Sequence, residues 1–157
     1  MNEITEQLYI SDEDAVRSLP TDAHQFDEIV TVGYSRLRNE PPAASDTGAE
    51  FYFPDGGHDH ADFVRAVEYV IDRIEDGDCV LVHCQAGISR SGGVCSAVLT
   101  ETTDMTLEEA FNTVQDSRQI VNPASDIRDS MKRYTGQTIL PEYGDDTEFT
   151  RKLEETE

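Results

Sequence analysis

In His83-Cys84-Gln85-Ala86-Gly87-Ile88-Ser89-Arg90-Ser91 a cysteine and an arginine stand six positions apart, with a histidine before the first and a serine after the second. A thiolate is a strong nucleophile, and a guanidinium is a planar fork that holds two phosphate oxygens together. The preceding run, Cys79-Val80-Leu81-Val82, is apolar and β-branched and follows the turn signal Asp76-Gly77-Asp78, which predicts a buried strand. The following run, Ser91 to Leu99, is small and apolar, as a helix buried against a sheet must be. The loop between them therefore opens at a helix N-terminus. Free backbone N–H groups and the positive end of the helix dipole bind a phosphate dianion there. Gly87 permits the backbone curl that brings successive N–H groups around one anion. Gln85, Ala86, Gly87, Ile88, Ser89 and Arg90 are thus the expected phosphate-binding residues, and Cys84 the expected nucleophile. Anion site and nucleophile are one object, which is the chemistry of phosphate esters. Cys79 and Cys95 lie in apolar runs and read as packing residues.

The loop resembles the His-Cys-x5-Arg-Ser/Thr signature of the cysteine-based protein tyrosine phosphatases, and Cys-Gln-Ala-Gly-Ile-Ser-Arg-Ser is similar to the version carried by the dual-specificity subfamily. The resemblance runs from about residue 4 to 135. Ile4 to Ile10 followed by Ser11 to Ala15 is similar to the opening strand and helix of those domains, Phe26 to Val32 to their next strand, and Val121-Asn122-Pro123 to the turn before their last helix. It implies an upstream aspartate that protonates the leaving oxygen and later deprotonates water. An alkoxide or phenoxide leaves poorly without such a donor. Asp55, in Phe53-Pro54-Asp55-Gly56-Gly57, is the leading candidate, and Asp59 its competitor; the plainer role of Asp59 is to cap a helix starting near Ala61. The resemblance further implies that His83 supports the cysteine from behind, that Ser91, and with it Ser89, offers a hydroxyl toward the sulfur, and that Asn122 helps fix the loop.

Length sets one domain, expected over residues 1–140, with residues 141–157 as an acidic, disordered tail. Strands are expected near 8–10, 29–32, 51–53 and 79–83, too far apart for hairpins and separated by helical segments. That predicts an α/β fold: a central, mostly parallel sheet flanked by helices on both faces, which is also the dual-specificity phosphatase fold. One helix is expected near 61–75, with Phe63, Val67, Val70, Ile71 and Ile74 on one face and Gly77 beyond its end. Another starts at the capping box Thr106-Leu107-Glu108-Glu109, and a last one spans Pro123 to about Tyr134. Residues 35–50 read as a surface loop. Gly92-Gly93 is an odd choice for a first helical turn, since each glycine costs up to ~1 kcal/mol relative to alanine.

The net charge is −21, from 33 acidic and 12 basic residues. That acidity argues against nucleic acid as a partner. Its acidity fits a cytoplasm of molar salt, where the Debye length falls to ~3 Å and self-repulsion is screened, so a halophilic archaeal or bacterial source and a cytoplasmic location are expected. No apolar run approaches the ~20 residues of a membrane span, and Met1-Asn2-Glu3 opens polar, so neither a membrane nor a secretory route is expected. Three cysteines do not make a disulfide framework, although a reversible Cys79–Cys84 bond stays open. His58-Asp59-His60 is the one histidine cluster and reads as a solvated turn, with no metal and no cofactor expected.

The expected activity is hydrolysis of phosphotyrosine in a protein, and by extension phosphoserine or phosphothreonine, through a cysteinyl-phosphate, by a monomer. Two alternatives stand beside it: a phosphoprotein-binding module with little turnover, and a phosphatase for a non-protein phosphomonoester, including an RNA 5′-phosphate. An arsenate reductase would need a mobile resolving cysteine, which neither Cys79 nor Cys95 resembles. Arg36 and Arg38 are candidate contacts for a second substrate group.

Overall fold

A computed structural model describes residues 1–20, 23–33 and 49–139. The loop expected at 35–50, apart from its last two residues, Arg36 and Arg38, and the tail 141–157 lie outside the described residues. Among the described residues a five-stranded sheet is built from β1 (Asn2–Thr5), β2 (Leu8–Ser11), β3 (Glu28–Val32), β4 (Glu50–Phe51) and β5 (Val80–His83), in the spatial order β1-β2-β5-β3-β4. β5 lies in the middle, parallel to β2 and to β3, with Val82 opposite Ile10 on one side and Val30 on the other. β3 and β4 are also parallel.

The outer strand β1 is antiparallel to β2, with Glu3 opposite Tyr9. This hairpin corrects the expectation that no two strands pair locally. Asn2–Thr5 carries a single large apolar residue, Ile4, and an edge strand with one neighbour needs no alternating pattern to form. β4 is shorter and earlier than the expected 51–53, because only two residues pair with Thr31 and Val32, and Phe53 is buried beyond the strand.

Alternate residues of the central strands serve two cores. Leu8, Ile10, Val30, Val32, Val80 and Val82 face the larger one, with α2 (His60–Glu75), α3 (Arg90–Thr102), α4 (Leu107–Ser117) and α5 (Ser125–Thr135). Ile29 and Leu81 face the smaller one, closed by Val16 of α1 (Glu13–Arg17) and by Phe26. Helices thus cover both faces, and β5, buried on both, is the continuous apolar run that the sequence suggested.

Local signals start the helices. The Asp59 carboxylate accepts the N–H of Ala61 at 3.0 Å and caps α2. Thr106 and Glu109 exchange hydrogen bonds of 2.9 and 3.1 Å in the capping box of α4. α5 begins at Ser125 rather than at Pro123, since the first backbone bond of the helix runs from Arg128 N–H to Ala124 O. α3 is buried from Ser91 to Thr100 and packs on α2, α4 and α5. Its glycines explain themselves here. A Cβ on Gly92 would meet Val121 Cγ1 at 2.5 Å, and one on Gly93 would collide with Ile127 and stand 3.3 Å from Met131 Sδ.

Candidate active site

β5 ends at His83, α3 begins at Arg90, and the loop between them sits at the carboxyl end of the parallel strands. Its carbonyls are bound one after another from behind. Glu13 N–H donates to Gln85 O at 3.0 Å and Asn122 N–H to Ile88 O at 2.8 Å. Arg118 donates to Ala86 O at 3.0 Å and to Gly87 O at 2.9 Å. With these carbonyls engaged away from the cavity, the amides from Gln85 to Arg90 find no acceptor among the described residues. Amides in that state form an anion nest. Gly87 makes the turn at φ 69°, and a Cβ there would lie 2.7 Å from Ser11 O and 2.8 Å from Arg118 Nε. Position 87 is closed to any side chain.

Cys84 is buried, and its Sγ lies 3.1 Å from the Ser91 hydroxyl in the first turn of α3. Ser89 is engaged elsewhere: its Oγ accepts the N–H of Ala124 at 2.8 Å. Of the two serines, Ser91 is the one whose hydroxyl lies at hydrogen-bond distance from the sulfur, while Ser89 ties the loop to the turn before α5. His83 is buried behind the cysteine, its Nδ1 3.3 Å from Cys84 O and its Nε2 2.8 Å from Thr31 Oγ1. Burial pushes its pKa down to about 4, against the opposing pull of the Cys84 carbonyl and of Glu13 and Asp12. The ring is therefore neutral near pH 7. A carbonyl can only accept, so Nδ1 carries the proton and Nε2 accepts from the Thr31 hydroxyl.

Arg90 joins three segments. Its Nη1 donates to Gly33 O at 2.5 Å and to Phe53 O at 3.1 Å, its Nη2 lies 3.4 Å from Gln85 Oε1, and its Nε stands 3.3 Å from the carboxylate of Asp55. Gly33, at φ 77°, has no room for a Cβ because the Arg90 side chain passes over it. A cavity of 360 Å³ is lined by Asp55, Cys84, Gln85, Ala86, Ile88, Ser89 and Arg90, with Asn122 and Ala124 opposite. Gly87 and Ser91 are not in this lining; the one shapes the loop and the other reaches the sulfur. Asp59 is not in it either, being occupied at the N-cap of α2. Of the two candidate aspartates, Asp55 is the one at the cavity.

The Asn122 side chain is itself held: its Oδ1 accepts from Arg128 Nη2 at 3.1 Å, and Arg128 also donates to Pro123 O at 3.0 Å while lying over the Phe111 ring. His58 and His60 do not face solvent as a free turn; both rings meet the hydroxyl of Ser130. Cys79 and Cys84 occupy opposite ends of β5, which at ~3.3 Å per residue puts them about 16 Å apart, far beyond the ~7 Å limit for a disulfide. The reversible bond between them is excluded by geometry.

Sequence reasoning missed Arg118 and Gly33. Arg118 further donates to Asn2 Oδ1 at 2.9 Å and pairs with Asp12 at 3.4 Å, so the loop is braced by the N-terminal hairpin as well. A single arginine after α4 looks like any surface charge, and nothing in its neighbours marks it.

Over residues 54–137, more than half of the chain, the sequence matches the family described as dual specificity phosphatase, catalytic domain. The chain belongs to that family. Mouse dual specificity protein phosphatase 1 is 40% identical over 80 residues, which cover 50% of this chain and 22% of that protein. Human dual specificity protein phosphatase 4 is 41% identical over 80 residues, covering 49% and 20%. The match thus spans about a fifth of these relatives' length. Among solved structures, human DUSP28 superposes with a TM-score of 0.71 at 20% identity, over 87% of this chain and 96% of that one. Human tyrosine phosphatase-like serine/threonine/tyrosine-interacting protein gives 0.73 at 24% identity, over 87% and 95%. The fold is that of the dual-specificity cysteine phosphatases.

Proposed function

We propose that this chain is a protein phosphatase that hydrolyses phosphotyrosine, and by extension phosphoserine or phosphothreonine, through a cysteinyl-phosphate. The observation that carries the reading is the convergence of Cys84, Arg90 and Asp55 on one cavity, beneath a loop whose carbonyls are bound behind it and whose amides are left for an anion. On binding, a phosphate dianion takes the loop amides and draws the Arg90 guanidinium from Asp55 and Gln85 onto its equatorial oxygens. Cys84 Sγ attacks phosphorus in line. The S–P bond forms as the ester P–O bond breaks, and the leaving oxygen takes the proton of Asp55. Water then gives a proton to Asp55 and attacks phosphorus. The S–P bond breaks, the thiolate returns to the Ser91 hydroxyl, and inorganic phosphate departs.

Among the described residues Arg90 is the one cation in the cavity lining; Gln85, Ala86, Ile88 and Ser89 are uncharged. That favours a singly phosphorylated side chain over a headgroup with several phosphates, which would call for further cations. The test is hydrolysis of para-nitrophenyl phosphate and of a phosphotyrosine peptide in molar salt by the native protein, Cys84→Ser and Asp55→Ala. The expected result is turnover by the native protein, none by Cys84→Ser, and a loss of roughly 10²–10⁴-fold on the peptide for Asp55→Ala. A native protein that binds the phosphopeptide without turnover overturns the proposal in favour of a binding module.

A further inference from the structure

The segment that carries Asp55 runs from Tyr52 to Asp59 between β4 and α2 and contains Pro54, Gly56 and Gly57, the last at φ 72°. Two glycines beside a proton donor give it backbone freedom, and a misplacement of about 1 Å at a reacting group costs on the order of 10²-fold in rate. Something outside the segment must hold it. Besides the Arg90 contacts with Phe53 O and the Asp55 carboxylate, its ties come from one face of α5. Asp126 Oδ2 accepts the N–H of Gly57 at 2.6 Å. One turn further along, Ser130 Oγ lies 2.8 Å from His58 Nε2 and 2.9 Å from His60 Nδ1. A hydroxyl has one proton and two lone pairs, so Ser130 can hydrogen-bond both rings at once. Residues i and i+4 share a helix face, so the pair grips three positions within five residues of Asp55. The His58 ring also packs on Phe53, 5.4 Å between centroids, which buries the near side of the segment.

The same helix is fixed to the phosphate loop. Just before it, Asn122 N–H and Ala124 N–H bond Ile88 O and Ser89 Oγ, and Gly93 lets α3 close on Ile127 and Met131. α5 is therefore a rigid bar between the loop of Cys84 and the segment of Asp55. We infer that Asp126, through the Gly57 N–H, and Ser130, through His58 and His60, are positioning residues that set the distance from the Asp55 carboxyl to the leaving oxygen. The inference rests on Asp55 being the proton donor.

A group that only places an acid has a signature that a merely structural one lacks. A leaving group of low pKa departs without a proton, and one of high pKa does not. The experiment measures kcat and KM for Ser130→Ala, Ser130→Thr and Asp126→Asn in molar salt on 2,4-dinitrophenyl phosphate and on phenyl phosphate, each also in an Asp55→Ala background. Asp126 is exposed, so its asparagine variant retains the fold. The expected result is a drop in kcat/KM, which covers the steps up to departure of the alcohol, of about 10–100-fold on phenyl phosphate for Ser130→Ala and a smaller one for Asp126→Asn, with kcat/KM on the dinitrophenyl ester unchanged. Ser130→Thr restores the rate, and neither substitution adds to Asp55→Ala. Equal losses of kcat/KM on both esters, or full additivity with Asp55→Ala, overturn the positioning role while leaving Asp55 in place. An Asp55→Ala protein that treats both esters like the native one removes the proton donor itself, and the positioning role with it.

Discussion

His83 is held neutral by burial, and that couples the support behind Cys84 to pH. Its pKa of about 4 in the fold lies below the ordinary 6.5, so on acidification the unfolded chain takes up a proton before the folded one does. Its contribution to stability is complete above pH 6.5 and declines as the pH falls toward 4, by on the order of 3 kcal/mol in total. Denaturant unfolding at pH 7 and pH 4.5 should show this loss in the native protein and a shallower one in His83→Gln; equal slopes would remove His83 from the account. Arg118 acts on the same loop through geometry. Lysine replaces the rigid planar fork with a compact ammonium on a flexible stem, so in Arg118→Lys the fixed pair of bonds to the Ala86 and Gly87 carbonyls is lost. Vanadate, an analogue of phosphate in the nest, is expected to inhibit that variant about 10–100-fold more weakly, the size of a lost hydrogen bond to a charged group. Unchanged inhibition would show that the loop holds its shape alone.

At the scale of elements, α3 is the hub, and its two glycines read differently in sequence and in space. As a string, Gly92-Gly93 is a weak first turn. In the fold it is the only way for Val121 and α5 to come as close as they do. Gly93→Ala gains up to ~1 kcal/mol of helix propensity but drives a methyl into Ile127, and overpacking of this kind costs about 1–3 kcal/mol. A net loss of stability in denaturant titration is expected, and a gain would mean that α5 yields easily. The capping boxes and N-caps need no such context. Asp59 and Thr106 bond to N–H groups two and three residues on, and their roles were legible for that reason. β1 was not legible, because its partners are supplied by β2 rather than by any pattern of its own.

The whole molecule is governed by a net charge of −21 on 157 residues. Exposed ion pairs such as Arg73–Asp76 recover little of the repulsion. The melting temperature is expected to rise from about 0.1 M to about 2 M KCl as screening shortens the reach of each charge, and a flat response would sever the acidity from any high-salt setting. Among the described residues no helix is long and apolar enough to cross a membrane. The sequence by itself determined the loop of Cys84, the strand and helix that flank it, and the caps at Asp59 and Thr106, since all of these rest on residues within a few positions of one another. Which aspartate faces Cys84, what binds the loop carbonyls from behind, and what holds the segment of Asp55 were decided only by the tertiary structure. Those contacts join residues far apart in the chain, up to 116 positions between Asn2 and Arg118, and no local pattern encodes the meeting of two such groups.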